Sequence, residues 1–119
     1  MLAMLRGDVE AAAPYIADDI RWLMAPSIAA SHPPITSKKE WMSRSSGIKA
    51  LFPEGLTTDI KHMFCDGEAV IVEFSNKGKV ANGMHYSNEY CTVFVVEGGK
   101  IKEIREYQDS LHVHQTFLS

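Results

Sequence analysis

Long apolar runs are missing from this chain, which excludes a membrane-spanning helix. Basic clusters are missing as well. Twelve Lys and Arg stand against 15 Asp and Glu, for a formal net charge of -3, so nucleic acid is not an expected partner. Cysteine is scarce: Cys65 and Cys91 make no disulfide framework, and they read as two reduced, buried thiols in a cytoplasmic protein. No nucleophile elbow, phosphate loop or dinucleotide fingerprint occurs, so no cofactor is expected. The five histidines, His32, His62, His85, His112 and His114, form no ligand pattern beyond a single H-x-H, so no metal is expected. The opening MLAMLRGD is too soon broken by charge to read as a secretory signal.

What is present is an ordinary globular composition. The chain has 119 residues, 45% of them hydrophobic and 23% charged, which fits one domain over residues 1–119 with a single core. Met1 to Leu5 suggest the last turn of a helix. Asp8 is placed to cap a short helix in which Val9, Ala12, Ala13 and Ile16 recur at helical spacing, and Pro14 shortens or kinks it. Ile20 to Met24 reads as a strand, and Ala25 to Thr36 as a loop. Ser37 and Glu40 make a capping box for a helix that buries Trp41, Ile48, Leu51 and Phe52 before Pro53 stops it.

The remainder alternates as strands do. Leu56 to Cys65 and Glu68 to Asn76 flank a turn at Asp66-Gly67, and Asn82-Gly83 marks the next turn. Met84 to Val96 and Lys100 to Asp109 pair across Gly98-Gly99, and Ser110 to Leu118 forms a closing helix or an extended tail. Helices on one face of an antiparallel sheet define an α+β fold, and glycine breaks in long strands suggest a curved sheet over a conical cavity. Register at Gly98-Gly99 decides which side chains enter that cavity. A two-residue loop sets Cys91 opposite Glu106. A three-residue loop sets Tyr90 opposite Glu106, Thr92 opposite Ile104 and Asn88 opposite Gln108. Alternation alone leaves both open.

The passages GDVEAAAPYIADDIRW, NGMHYSNEYCTVFVV and above all GGKIKEIREYQD resemble the SnoaL-like branch of the nuclear-transport-factor-two-like superfamily, which also holds ketosteroid isomerases and limonene epoxide hydrolases. The likeness runs from about Leu5 to Asp109. It implies a cone-shaped curved sheet wrapped over helices, an α+β barrel with a deep pocket, in a homodimer. It favours the register that brings Tyr90 and Glu106 to one side. It places Glu106 where the epoxide hydrolases carry a carboxylate that acts on water. Those enzymes also use an Arg and an Asp near positions 74 and 76, and a Tyr and an Asn where this chain has Trp22 and Met24. None of these four is present. The cyclases of the branch need a single buried acid, which Glu106 supplies.

The resemblance thus implies an isomerase-like or cyclase-like enzyme with Glu106 and Tyr90 as catalytic groups. Trp22, Met24, Trp41, Phe74, Asn88 and Gln108 would bind a small apolar molecule with a polar end. The alternative is a non-catalytic binding or dimerisation module of the same fold. An epoxide hydrolase is a third reading. Each residue also has an ordinary role: a surface glutamate beside Arg105, a strand tyrosine, core tryptophans.

Overall fold

The computed structural model describes residues 8–29 and 33–118. The turn expected over Met1 to Leu5, and His32, lie outside them. Helix α1 (Val9–Ala12) starts where Asp8 caps it, its carboxylate accepting the Ala11 N–H at 3.3 Å. Pro14 then falls in a 3-10 turn (Ala13–Tyr15) that ends the helix. Strand β1 (Ile16–Met24) begins earlier than its sequence pattern suggests. Ile16 is therefore a strand residue, not the last helical one, and with Ile20 it is fully buried.

The expected loop after β1 contains a short helix, α2 (Pro26–Ala29), and a bridge in which Trp22 and Ile35 exchange backbone hydrogen bonds at 2.9 and 3.1 Å. Helix α3 (Lys38–Leu51) opens on the capping box, Ser37 Oγ accepting the Glu40 N–H at 3.2 Å. It buries Trp41, with Phe52 buried just past its end. Leu51, expected in the core, is 39% exposed.

Four strands follow: β2 (Thr57–Asp66), β3 (Ala69–Lys79), β4 (His85–Glu97) and β5 (Lys100–Gln108). The β2–β3 turn is Gly67-Glu68, one residue later than expected, because Asp66 still pairs with Ala69. Sheet order is β1-β5-β4-β3-β2. Two corrections follow. The sheet is mixed, since β1 runs parallel to β5. It is also open rather than a closed barrel, with β1 and β2 at its edges. Helix α4 (Ser110–Val113) and a π-helical turn (His114–Leu118) complete the chain as a closing helix.

The β4–β5 ladder resolves the register. Gly98 and Gly99, at φ 58° and 77°, form a two-residue turn that needs positive φ at both positions. Glu97 pairs with Lys100 and Val96 with Ile101. The ladder then slips at Lys102, an extra residue on β5, so that Val95 pairs with Glu103. Downstream, Thr92 lies opposite Glu106 and Tyr90 opposite Gln108. The pairings expected from a three-residue loop do not form. Yet the bulge restores the parity that loop would have given, and Tyr90 and Glu106 do share a face.

That inner face carries the core. Ile16, Ile20, Trp22, Ile35, Trp41, Val72, Phe74, Phe94, Ile101 and Ile104 form one buried cluster. The outer face runs as a row from Leu23 through Arg105, Val93 and Ile71 to Phe64, half-buried except for exposed Phe64. Cys65 is exposed on the β2 edge and Cys91 half-buried, so the thiols are free but not both buried.

Candidate functional site

Cross-strand pairing turns the inner face into rows. One row runs Met24, Glu106, Thr92, Val72. The next toward the chain's later turns runs Gln108, Tyr90, Phe74. Behind it lie Asn88 and Asn76. Between these rows and helix α3 is a cavity of about 390 Å³. Trp22, Met24, Trp41, Phe74, Tyr90, Glu106 and Gln108 all line it. Trp41 comes from α3, Trp22 and Met24 from β1, and the remainder from the central strands.

Two acids line this cavity: Asp8, which is engaged in capping α1, and Glu106 on β5. No hydrogen bond or ion pair reaches its side chain among the described residues. Burial among apolar walls pushes its carboxyl up to about 7. The charged groups around it do little to offset that. Arg44 lines the cavity, but its guanidinium donates to the Pro33 carbonyl at 2.6 Å. Its sequence neighbour Arg105 points to the other face and bonds Glu103.

Tyr90 stacks flat on Phe74, with ring centres 4.9 Å apart and planes within 4°. Its hydroxyl shares a short hydrogen bond with the hydroxyl of Tyr86. Burial pushes both phenols up from their ordinary value. Asn88 is buried and does not line the cavity. Its amide Nδ2 donates to Tyr86 Oη at 2.9 Å and to the Asp109 carbonyl at 3.2 Å, and its Oδ1 accepts the Glu89 N–H at 2.8 Å. The expectation that Asn88 touches a ligand gives way to this: it sits behind Tyr86.

Three buried polar atoms near Glu106 lack a hydrogen-bond partner among the described residues: Trp22 Nε1, Thr92 Oγ1 and Gln108 Oε1. Such groups are costly to leave unmatched, about 1–3 kcal/mol each.

Sequence reasoning left several wall residues out. Tyr86 fits a strand tyrosine as well as a site residue until its partners are seen. Thr92 carries no signal beyond alternation. Val113 and Phe117 also line the cavity. They come from the closing segment, where Phe117 packs on Phe52 and Tyr86 and His112 stacks on Tyr86 at 5.1 Å. Asn76 also lines the wall, and Thr58 Oγ1 donates to its Oδ1 at 2.5 Å. Among the described residues no group of three or more His, Cys, Asp or Glu is placed to hold a metal ion. No helix among them is long and apolar enough to cross a membrane.

Solved structures share this architecture. A candidate isomerase from Bacillus subtilis is similar at a TM-score of 0.82, with 22% identity, over 100% of this chain and 88% of that one. A candidate SnoaL-like polyketide cyclase from Jannaschia sp. CCS1 gives a TM-score of 0.76 with 15% identity, over 93% of this chain and 78% of that one. TerC, co-crystallised with polyporic acid, gives 0.76 with 13% identity, over 99% of this chain and 97% of that one. At these identities the likeness establishes the nuclear-transport-factor-two-like fold. No curated protein matches the sequence significantly. The model of the SnoaL-like domain family, however, matches residues 1–104, nearly the whole chain up to the strand that bears Glu106, and the chain belongs to that family.

Proposed function

We propose that this protein is an enzyme that moves a proton beside a carbonyl in a small, mostly apolar molecule, an isomerisation or a cyclisation. The single observation that carries this is Glu106, a carboxyl with no partner among the described residues on the wall of an apolar cavity. A group that titrates near neutral pH is present as both acid and base there, which is what a proton shuttle requires. Glu106 takes a proton from carbon next to the carbonyl. The electron pair of that C–H bond moves toward the carbonyl oxygen, giving an enol-like species, and Glu106 returns the proton at a second carbon. Tyr90 holds the oxygen. Trp22, Met24, Trp41 and Phe74 hold the apolar body, and Gln108 takes the polar end.

The neutral wall at Phe74 and Asn76 argues against the epoxide-hydrolase chemistry, which draws on a charged pair there. The reading includes a homodimer formed through the outer sheet face and a cytoplasmic setting for the enzyme.

The test is turnover of a panel of enones, with epoxides as controls, by wild type and Glu106→Gln from pH 5 to 9. At least one enone should turn over, with kcat/KM rising as pH increases through about 7. Glu106→Gln should lower it by roughly two to four orders of magnitude. If no compound turns over and ligand binding ignores the substitution, the protein is a non-catalytic binding module.

A further inference from the structure

We propose that the cavity takes a ligand whose polar end both donates and accepts hydrogen bonds, a ketone with a hydroxyl on the adjoining carbon, and that Thr92 and Gln108 select for that hydroxyl. This names the substrate class of the proton-transfer reading above and rests on it.

The pairing of β4 with β5 builds the site. Thr92 lies opposite Glu106, and Tyr90 lies opposite Gln108, two residues further along β5. All four line the cavity. Neighbours directly across two strands stand about 5 Å apart, and residues i and i+2 on one strand about 7 Å. The four therefore form one compact polar block. Phe94 and Ile104 border it in the row on one side, and Phe74 lies beside Tyr90.

Most of this block is unmatched. Thr92 is 2% exposed, and its Oγ1 has no partner among the described residues. No hydrogen bond among them reaches either end of the Gln108 amide. Tyr90, opposite Gln108, is bonded to Tyr86 instead. Trp22, one row away on β1 and 9% exposed, holds an unmatched Nε1–H.

These groups differ in what they ask for. The indole N–H only donates. A hydroxyl donates and accepts, and an amide has one end of each kind whichever way it is turned. A ketone oxygen only accepts, so it can answer an N–H but leaves the Gln108 oxygen without a donor. A hydroxyl beside the ketone supplies that donor. The two rows of the block are one strand repeat apart, so oxygens on adjoining carbons meet both rows where a single oxygen meets one. This holds whichever of Tyr86 and Tyr90 donates in the bond they share.

Three ligands with one apolar body test this: 2-acetylnaphthalene, 2-(hydroxyacetyl)naphthalene and 2-(methoxyacetyl)naphthalene. The added oxygen of the last can only accept. In titration calorimetry, wild type should bind the hydroxyketone about 3- to 10-fold more tightly than its methyl ether, and more tightly than 2-acetylnaphthalene. Thr92→Val, which keeps the side-chain outline, and Gln108→Met should each bring the hydroxyketone-to-ether ratio toward one. Thr92→Ser should retain it. A merely structural loss would weaken all three ligands alike and leave the ratio standing. A methyl ether bound as tightly as the hydroxyketone by wild type, or a ratio that survives either substitution, would overturn the inference. The Glu106 assignment would then rest on its own pH profile with enones. Failure of wild type to bind any of the three would overturn the cavity reading beneath both.

Discussion

Glu106 shows what burial does to a single ionisable group, and the consequence can be measured without knowing a substrate. Its carboxyl moves from a usual value of 4.5 up to about 7 in the folded chain. Below pH 4.5 both folded and unfolded chains hold the proton. Between 4.5 and 7 only the folded chain does, so folding takes up a proton and stability falls as pH rises through that window. Glu106→Gln removes the titrating group. Urea denaturation at pH 5 and pH 8 should show wild type losing roughly 1–3 kcal/mol more than the variant between the two. Equal losses would mean that Glu106 is solvated. Little of this was legible in the sequence. An acid beside Arg105 on a strand has two possible faces, and only the family likeness favoured the inner one. Asn88 was the opposite case: its side of the sheet was read rightly, but its role was not, because alternation does not reveal that backbone groups would claim its amide.

Strands and turns were read better than their pairings. The capping box at Ser37, the helix start at Asp8 and the glycine turns all lie near their expected places, because each is a local choice made by a few adjacent residues. The bulge was missed, although a sign of it was present. Ile101 and Ile104 are three apart, and both are buried against the core. In a regular strand such residues face opposite sides, so one extra residue between them is needed to turn both inward. The parallel pairing of β1 with β5 left no local mark, since nothing near Ile16 states which distant strand it will join. Gly78 is an element-level feature of another kind. A Cβ there would meet Leu56 Cδ2 at 2.8 Å, the Gly55 carbonyl oxygen at 3.0 Å and Phe52 Cδ1 at 3.0 Å. Gly78→Ala should therefore cost about 1–3 kcal/mol in denaturant unfolding, with β3 pushed off the loop that follows α3. A neutral result would place slack in that contact.

Taken as one body, the molecule has a covered side and an uncovered one. Helices α1 and α3 and the closing segment lie toward the inner face. Among the described residues the outer row from Leu23 to Phe64 has no such cover, and Phe64 is 54% exposed. A second copy seated there is part of the proposed function. Sedimentation should then give twice the 13.3 kDa of one chain, and Val93→Asp should return it to one. A monomeric wild type would remove the dimer from the proposal. The cavity and the outer face are set by the same ladder, and the slip at Lys102 governs both. Had the pairing continued regularly from Glu97 and Lys100, Arg105 would stand opposite Thr92 and Glu106 opposite Cys91. The hollow would then hold a guanidinium and welcome an anion, and the acid would face outward. One out-of-step peptide, upstream of either residue, thus chooses the sign of the charge that an incoming guest meets.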